Sequence, residues 1–126
     1  MKGLAERAVK AKGWRWMPGM LARGEDPTTG NPAWIRLREF HSSLTLGAQA
    51  YLLDNVYPDL TDPATVGCLQ ALVRDAHRDA YMAAGCDGED WIVADCDGFE
   101  VSRGQSEREA LVKALEAAPE YKELEL

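Results

Sequence analysis

Cysteine is scarce in this chain of 126 residues, and no pair among Cys68, Cys86 and Cys96 has the C-x-x-C spacing of a zinc or redox site. Histidine is scarcer, with only His41 and His77, far apart in sequence. Four soft ligands on one zinc ion would have to come from three or four separate segments. The expectation is therefore no metal, no cofactor, and buried, reduced thiols. No apolar run approaches the ~18 residues of a spanning helix, which argues against an integral membrane protein. Met1 to Lys12 alternate charge with small apolar side chains and hold no signal-peptide core, so the expected location is the cytoplasm. Positive charge is short too. Fourteen Lys and Arg stand against 21 Asp and Glu, and the net charge of −7 argues against nonspecific binding to duplex nucleic acid. Catalytic motifs are missing: there is no Ser–His–Asp order, nucleophile elbow, HExxH, phosphate loop or GxGxxG after a strand. The sequence does not read as an enzyme.

What is present fits one globular domain spanning residues 1–126. Hydrophobic residues make up 46% and charged residues 28%, enough apolar material to fold rather than stay disordered. Met1, Leu4, Ala5, Ala8 and Val9 recur at helical spacing, and Lys10, Lys12 and Gly13 read as a helix C-terminus. Trp14 to Met20 reads as a strand or ordered loop with a turn at Pro18-Gly19, and Gly24 to Pro32 is turn chemistry. Ala33 to Phe40 alternates, with Trp34, Arg36, Arg38 and Phe40 on one face and Ile35, Leu37 and Glu39 on the other. An antiparallel pair of Met17–Arg23 against Ala33–Phe40 is expected.

In residues 41–60, His41-Ser42-Ser43 either caps a short helix through Leu53, or the segment is a loop carrying a further strand. Asp62 and Pro63 make an N-cap and first helical position. Val66, Leu69, Leu72, Val73 and Ala76 follow on one stripe, which Ala80, Tyr81 and Ala84 extend up to Gly85. Trp91–Asp95 and Phe99–Ser102 flank Cys96-Asp97-Gly98 as a hairpin. Ser106 with Glu109 is a capping box, and Ala110, Leu111, Ala114 and Leu115 form the apolar face of a last helix that Pro119 stops. The fold expected is α+β: a small single domain with an antiparallel sheet of about four strands covered by three helices.

Three clusters carry possible chemistry. Asp95-Cys96-Asp97-Gly98 has the start of a calcium loop, but the glycine comes too early and the closing Glu is missing; a hairpin turn accounts for it. Asp75, His77, Asp79 and Tyr81 fall in one expected helix, where neighbours two apart do not face each other, so they make no acid–base set. The basic third of the chain is the most suggestive. Residues 1–40 carry eight Lys or Arg against four Asp or Glu, whereas residues 41–126 carry six against seventeen. Trp14, Arg15, Trp16, Arg23, Trp34, Arg36 and Arg38 gather there. Indole faces stack on nucleobases and guanidinium forks pair with phosphates, so these seven are the candidate ligand-binding residues. Read as ordinary core tryptophans and outward-facing strand arginines, the same residues need no ligand.

Two stretches carry a resemblance: Ala5-Glu6-Arg7-Ala8-Val9 with Gly13-Trp14-Arg15-Trp16-Met17-Pro18-Gly19-Met20, and Asp59-Leu60-Thr61-Asp62-Pro63-Ala64-Thr65-Val66-Gly67-Cys68-Leu69. With the closing Ser106 to Ala118 helix, they resemble small accessory proteins of tailed bacteriophages and prophages, residues 24–58 and 77–90 reading as variable insertions. The resemblance implies phage origin and expression inside a bacterium, and brings no catalytic residues. By analogy with phage proteins that counter host immunity, such as the oligomeric sponges of anti-CBASS and anti-Thoeris systems, the expected function is sequestration of a small anionic, cyclic nucleotide signal by a non-enzymatic homo-oligomer. The competing expectation is an acidic inhibitor or adaptor. Its Asp87–Asp97 and Glu107–Glu125 segments would dock on a basic surface of a host defence protein.

Overall fold

In a computed structural model of the chain, residues 2–39 and 45–119 are described. Helix α1 (Lys2–Lys10) buries Ala5 and Ala8 completely and packs Leu4 against the core, as its stripe requires. It stops at Lys10, short of Gly13. Gly13 has no left-handed backbone; a Cβ there would stand 2.8 Å from Ala76 Cβ and 3.0 Å from Leu115 Cδ1. Close packing of this loop on α3 and α4, not helix termination, is what the glycine serves.

Residues 14–20 form an ordered loop, with Met20 N donating to Met17 O (3.2 Å) across the Pro18-Gly19 turn. Strand β1 (Leu21–Glu25) then pairs antiparallel with β2 (Pro32–Arg36), Leu21 opposite Arg36 and Glu25 opposite Pro32. The strand partners are the expected ones but their bounds differ: β1 starts at Leu21 instead of Met17 and β2 ends at Arg36, while Gly24, Glu25 and Pro32, expected as turn, are paired in the ladder; Phe40 lies outside the described residues. In residues 41–60 the two alternatives are both present. Helix α2 (Leu46–Ala50) is capped by Thr45, whose side chain accepts from Ala48 N, and β3 (Asp54–Pro58) follows it. His41, Ser42 and Ser43 lie outside the described residues.

Helix α3 (Pro63–His77) starts as expected, with Asp62 accepting from Thr65 N and Pro63 in the first turn. It ends sooner than its stripe. Arg78 takes a left-handed φ of 53°, and the amides of Arg78 and Asp79 close back on Asp75 O (3.1 Å) and Arg74 O (3.0 Å). This is a Schellman closure with arginine where glycine is usual, so the sequence gives no stop signal there. Ala80 and Tyr81 fall in a turn, and Ala84 in a strand.

That strand, β4 (Ala83–Asp87), pairs with β5 (Asp90–Ala94), which pairs with β6 (Glu100–Gly104). The two hairpin loops use Gly88 at φ 65° and Gly98 at φ 85°. Helix α4 (Glu107–Glu116) is capped by Ser106, which accepts from Glu109 N at 3.2 Å.

The architecture is α+β and antiparallel, the described residues forming six strands in two sheets, β2-β1-β3 and β4-β5-β6, and four helices. It departs from a single sheet of about four strands under three helices for two reasons. The additional strands β3 and β4 and the helix α2 lie where the hydrophobic pattern is weakest. The 15-residue α3 also separates the two strand groups in sequence, and each closes on its own hairpins. One hydrophobic core joins them: Met20, Ala22 and Leu37 at the first sheet, Val93 in the second, Leu69, Leu72 and Val73 of α3, and Ala110, Leu111, Val112, Ala114 and Leu115 of α4. Each leucine contributes ~1.5–3 kcal/mol by burial, so α4, with five buried positions in ten residues, is the main apolar support. No described helix is long and apolar enough to cross a membrane.

Two glycine substitutions test this packing in opposite directions. Gly13→Ala drives a methyl against Ala76 of α3 and Leu115 of α4 and lowers the melting temperature. Gly67→Ala, inside α3 with nothing within 4 Å of its new Cβ, raises it by about 3–5 °C for ~1 kcal/mol of helix propensity. Calorimetry of both variants checks the signs.

Candidate functional site

Strand alternation divides the first sheet into two faces. Ala22, Ala33, Ile35 and Pro58 turn toward the core, and Arg23, Glu25, Trp34 and Arg36 turn out. Cross-strand register sets Trp34 on β2 and Tyr57 on β3 opposite Arg23 on β1; Trp34 is exposed, whereas Tyr57 is half-buried and packs against the core. The Arg23 guanidinium lies 5.3 Å from the centre of the Trp34 ring, which is 50% exposed. A cation–π contact of this kind is worth ~0.5–1 kcal/mol at the surface.

Next to that row, the β1–β3 ladder shifts register between Arg23 and Glu25, and Asn55 takes a left-handed φ of 51°. Bulges re-aim side chains; here Asn55 Nδ2 reaches Glu25 Oε2 at 3.2 Å. The result is a shallow cavity of about 280 Å³ lined by Arg23, Gly24, Glu25, Pro32, Asn55 and Tyr57. Tyr57, Glu25 and Asn55 were not among the residues singled out from the sequence. The Val56-Tyr57 pair is β-prone, but its position opposite Arg23 depends on pairing across 34 residues of chain.

The seven expected ligand residues do not converge on one pocket. Trp14 and Trp16 stand edge to face, ring centres 5.4 Å apart and planes at 81°, and both pack against the core. Trp14 Nε1 is buried without a hydrogen-bond partner among the described residues. Arg15 reaches Asp75 at 2.5 Å in an exposed ion pair, an arrangement worth ~0–1 kcal/mol. Arg38 is held through its backbone, its N–H donating to Gln49 Oε1 (3.0 Å) and its carbonyl accepting from Gln49 Nε2 (2.7 Å). Arg23, Trp34 and Arg36 alone share the outer face of the sheet.

Arg36 already has partners. Its Nη1 and Nη2 donate to Asp62 Oδ2 (2.6 Å) and Oδ1 (3.0 Å), and Nη1 also donates to Gly19 O (2.9 Å). Asp62 Oδ2 accepts further from Thr65 N and Thr65 Oγ1, and Thr65 Oγ1 accepts from Leu21 N at 2.8 Å. The Arg36 guanidinium, against the opposing effect of burial and with help from Thr65, holds the Asp62 carboxyl at about 2, down from 3.8.

The other titratable clusters have structural roles. His77 Nε2 lies 2.6 Å from Ala114 O, Asp75 is paired with Arg15, and Asp79 accepts from Tyr81 N and Cys96 N. They do not form a catalytic set. Asp95 Oδ1 accepts from Asp97 N and Phe99 N, the arrangement of a hairpin turn. The expectation of buried thiols is corrected: Cys68 is half-buried, whereas Cys86 and Cys96 are exposed, one on a strand at a sheet edge and the other in a hairpin loop. Among the described residues no three His, Cys, Asp or Glu are grouped to hold a metal ion. A larger cavity of about 730 Å³ is lined by Arg7, Lys10, Lys12, Ala76 and Leu115 among others, where the ends of α1, α3 and α4 meet. Arg7 there bonds Glu116, and these cations answer the negative ends of the helices.

No protein-family model matches the chain, and no curated protein or solved structure is similar enough to match it.

The Asp62 carboxyl titrates below its unfolded value, so its contribution is present above pH ~4 and is lost as pH falls through about 2. Asp62→Asn keeps a capping acceptor and removes the charge. It is expected to cost about 1–2 kcal/mol at pH 7 and progressively less from pH 4 to 2. Urea unfolding of both proteins across that range measures the difference.

Proposed function

We propose that this protein is a non-enzymatic binder of a small anionic nucleotide and that the outer face of β2-β1-β3 is its ligand surface. The observation that carries the reading is the row Trp34–Arg23–Tyr57, an exposed indole and a phenol flanking a guanidinium on three paired strands. An exposed aromatic ring on a sheet face is a stacking platform for a base, and base–aromatic stacking is worth ~1–3 kcal/mol per base. Trp34 supplies the stacking face, and Arg23 pairs with phosphate. Glu25, oriented by Asn55, offers an acceptor to N–H donors of a base edge. Arg36 has a scaffolding role, and Trp14, Arg15 and Trp16 belong to a different part of the molecule. Sequestration of a cyclic nucleotide signal in the host cytoplasm is the biological purpose we propose, by analogy with phage proteins that counter host immunity.

A second reading, an acidic adaptor docking on a basic host surface, draws on one specific feature. Tyr81, 81% exposed, lines a cleft of about 550 Å³ with Asp79, Asp95 and Asp97, and Phe99, whose N–H bonds Asp95, is 70% exposed. Against it, much of the acidic charge is spent internally. Arg103 takes Asp87, Asp90 and Glu100, Lys113 takes Glu109, and Arg7 takes Glu116. The residues Glu120, Glu123 and Glu125 lie outside the described residues.

Titration with cyclic mono- and dinucleotides, cyclic ADP-ribose isomers and linear nucleotides, read by thermal shift and tryptophan fluorescence, distinguishes the readings. Binding of at least one nucleotide, recovered intact, is expected. Trp34→Ala and Arg23→Ala should weaken it ~10-fold or more, and Arg15→Ala should leave it unchanged. Wild-type affinity in folded Trp34→Ala and Arg23→Ala variants removes the ligand from this face. Silence across the panel, with salt-sensitive capture of a basic host protein, favours the adaptor.

A further inference from the structure

The cavity beside the β1–β3 bulge has unlike ends. At one, the Arg23 guanidinium rests on Trp34; at the other, the Glu25 carboxylate accepts from Asn55 Nδ2 at 3.2 Å. Arg23 and Glu25 are both exposed, on alternate residues of β1. Asp54 stands opposite Glu25 in the ladder and adds negative charge at that end, while the neighbouring Asp26 turns its Oδ1 to Thr28 N at 2.7 Å. Such a gradient orients a nucleotide. Phosphate goes toward Arg23, and the base edge that meets Glu25 has to donate.

The size of the site limits what meets Glu25. A drug-sized ligand occupies ~300–1,000 Å³, and the cavity, at about 280 Å³, has room for one base. Trp34 stands opposite Arg23 and Glu25 opposite Pro32, so Trp34 and Glu25 are diagonal neighbours across β1 and β2. Diagonal pairs of this kind are about 7–8 Å apart, a gap that one base stacked on Trp34 bridges with its edge toward the carboxylate.

A carboxylate only accepts, and with about four lone-pair sites it keeps both oxygens open to a bidentate donor while one of them also holds Asn55. The pairing edges of the bases differ in the donors they set side by side. Guanine presents its ring N–H next to its amino group, two adjacent donors that match the two oxygens of a carboxylate. Adenine and cytosine each present one amino group next to a ring nitrogen that accepts, and uracil presents one N–H between two carbonyl oxygens. Each of those three sets a lone pair against a carboxylate oxygen, a repulsive contact that adds to the discrimination.

We propose, resting on the nucleotide reading of this face, that the ligand is a guanine nucleotide: Glu25 accepts from the ring N–H and the amino group of the base, and Asn55 is the positioning residue that holds Glu25. Calorimetric titration of the full chain with cyclic GMP, cyclic IMP and cyclic AMP, and with cyclic di-GMP and cyclic di-AMP, tests it. The guanine member of each set should bind ~10-fold or more tighter than the adenine member. Cyclic IMP, which keeps the ring N–H and lacks the amino group, should fall between cyclic GMP and cyclic AMP. Glu25→Gln replaces one acceptor by a donor and should reverse the preference toward adenine, whose amino group and ring nitrogen match a carboxamide. Asn55→Gly keeps the left-handed backbone at φ 51°, removes the amide and should narrow the guanine-to-adenine ratio. Equal affinity for guanine and adenine members, or a guanine preference unchanged in folded Glu25→Gln, overturns the guanine assignment and leaves the nucleotide reading standing. If Glu25→Gln fails to fold, the wild-type ratio and the cyclic IMP affinity decide. Absence of binding to every guanine member also overturns the assignment, and silence across the adenine members and the rest of the nucleotide panel overturns the nucleotide reading with it.

Discussion

The Asp62 carboxylate is the joint on which the first sheet is set. It caps α3 through Thr65 N, receives both Arg36 Nη atoms from β2, and is linked through the Thr65 hydroxyl to Leu21 N at the start of β1. Arg36 in turn holds the carbonyl of Gly19 in the preceding turn. A helix start, two strands and a tight turn therefore share one set of charge-assisted hydrogen bonds, with Thr65 fully buried at its centre. Half-satisfied networks of this kind are costly and satisfied ones specify a single geometry. The depressed Asp62 titration is the thermodynamic counterpart of that geometry.

Because Asp62 occupies Arg36, the outer face of the sheet is left with Arg23 as the guanidinium positioned by an aromatic ring and not by an acid. Behind this face, Ala22 and Ile35 anchor the strands on a core that α3 and α4 fill. The face is thus a rigid surface of strands and not a loop, the kind of support on which a stacking geometry can be kept without a large ordering cost on binding. The bulge beside Asn55 gives it relief, a shallow pocket rimmed by Glu25 and Tyr57.

Features encoded within a few residues were legible in the sequence. Asp62-Pro63, Ser106 with Glu109 and Asp97-Gly98 each hold a donor, acceptor or φ value that only one local structure uses, and each appears where expected. The α+β class and the first hairpin followed from such signals. Strand β4 was invisible because its small residues have no β preference, although Asp87-Gly88 repeats the Asp97-Gly98 cue ten residues earlier. The end of α3 was hidden because Arg78 takes a conformation that a glycine normally announces. Long-range choices were not legible at all. Alternation along β2 placed Trp34 and Arg36 on one face, but nothing local says that Arg36 meets an aspartate 26 residues away or that Tyr57 aligns with Arg23. The density of tryptophan near the N-terminus pointed to one pocket, whereas packing directs Trp14 and Trp16 to the core edge and leaves Trp34 outside.

The four indole N–H resonances provide the most direct discrimination, since Trp14, Trp16, Trp34 and Trp91 sit in different surroundings and only Trp34 is largely exposed. Nitrogen-15 correlation spectra recorded during titration with a nucleotide that stabilises the protein would report on all four at once. The account predicts a shift of the Trp34 signal together with the Arg23 and Tyr57 backbone amides, with the other three indoles stationary. Movement of the Trp14 and Trp16 indoles with Trp34 unchanged would contradict it and place the ligand at the loop after α1.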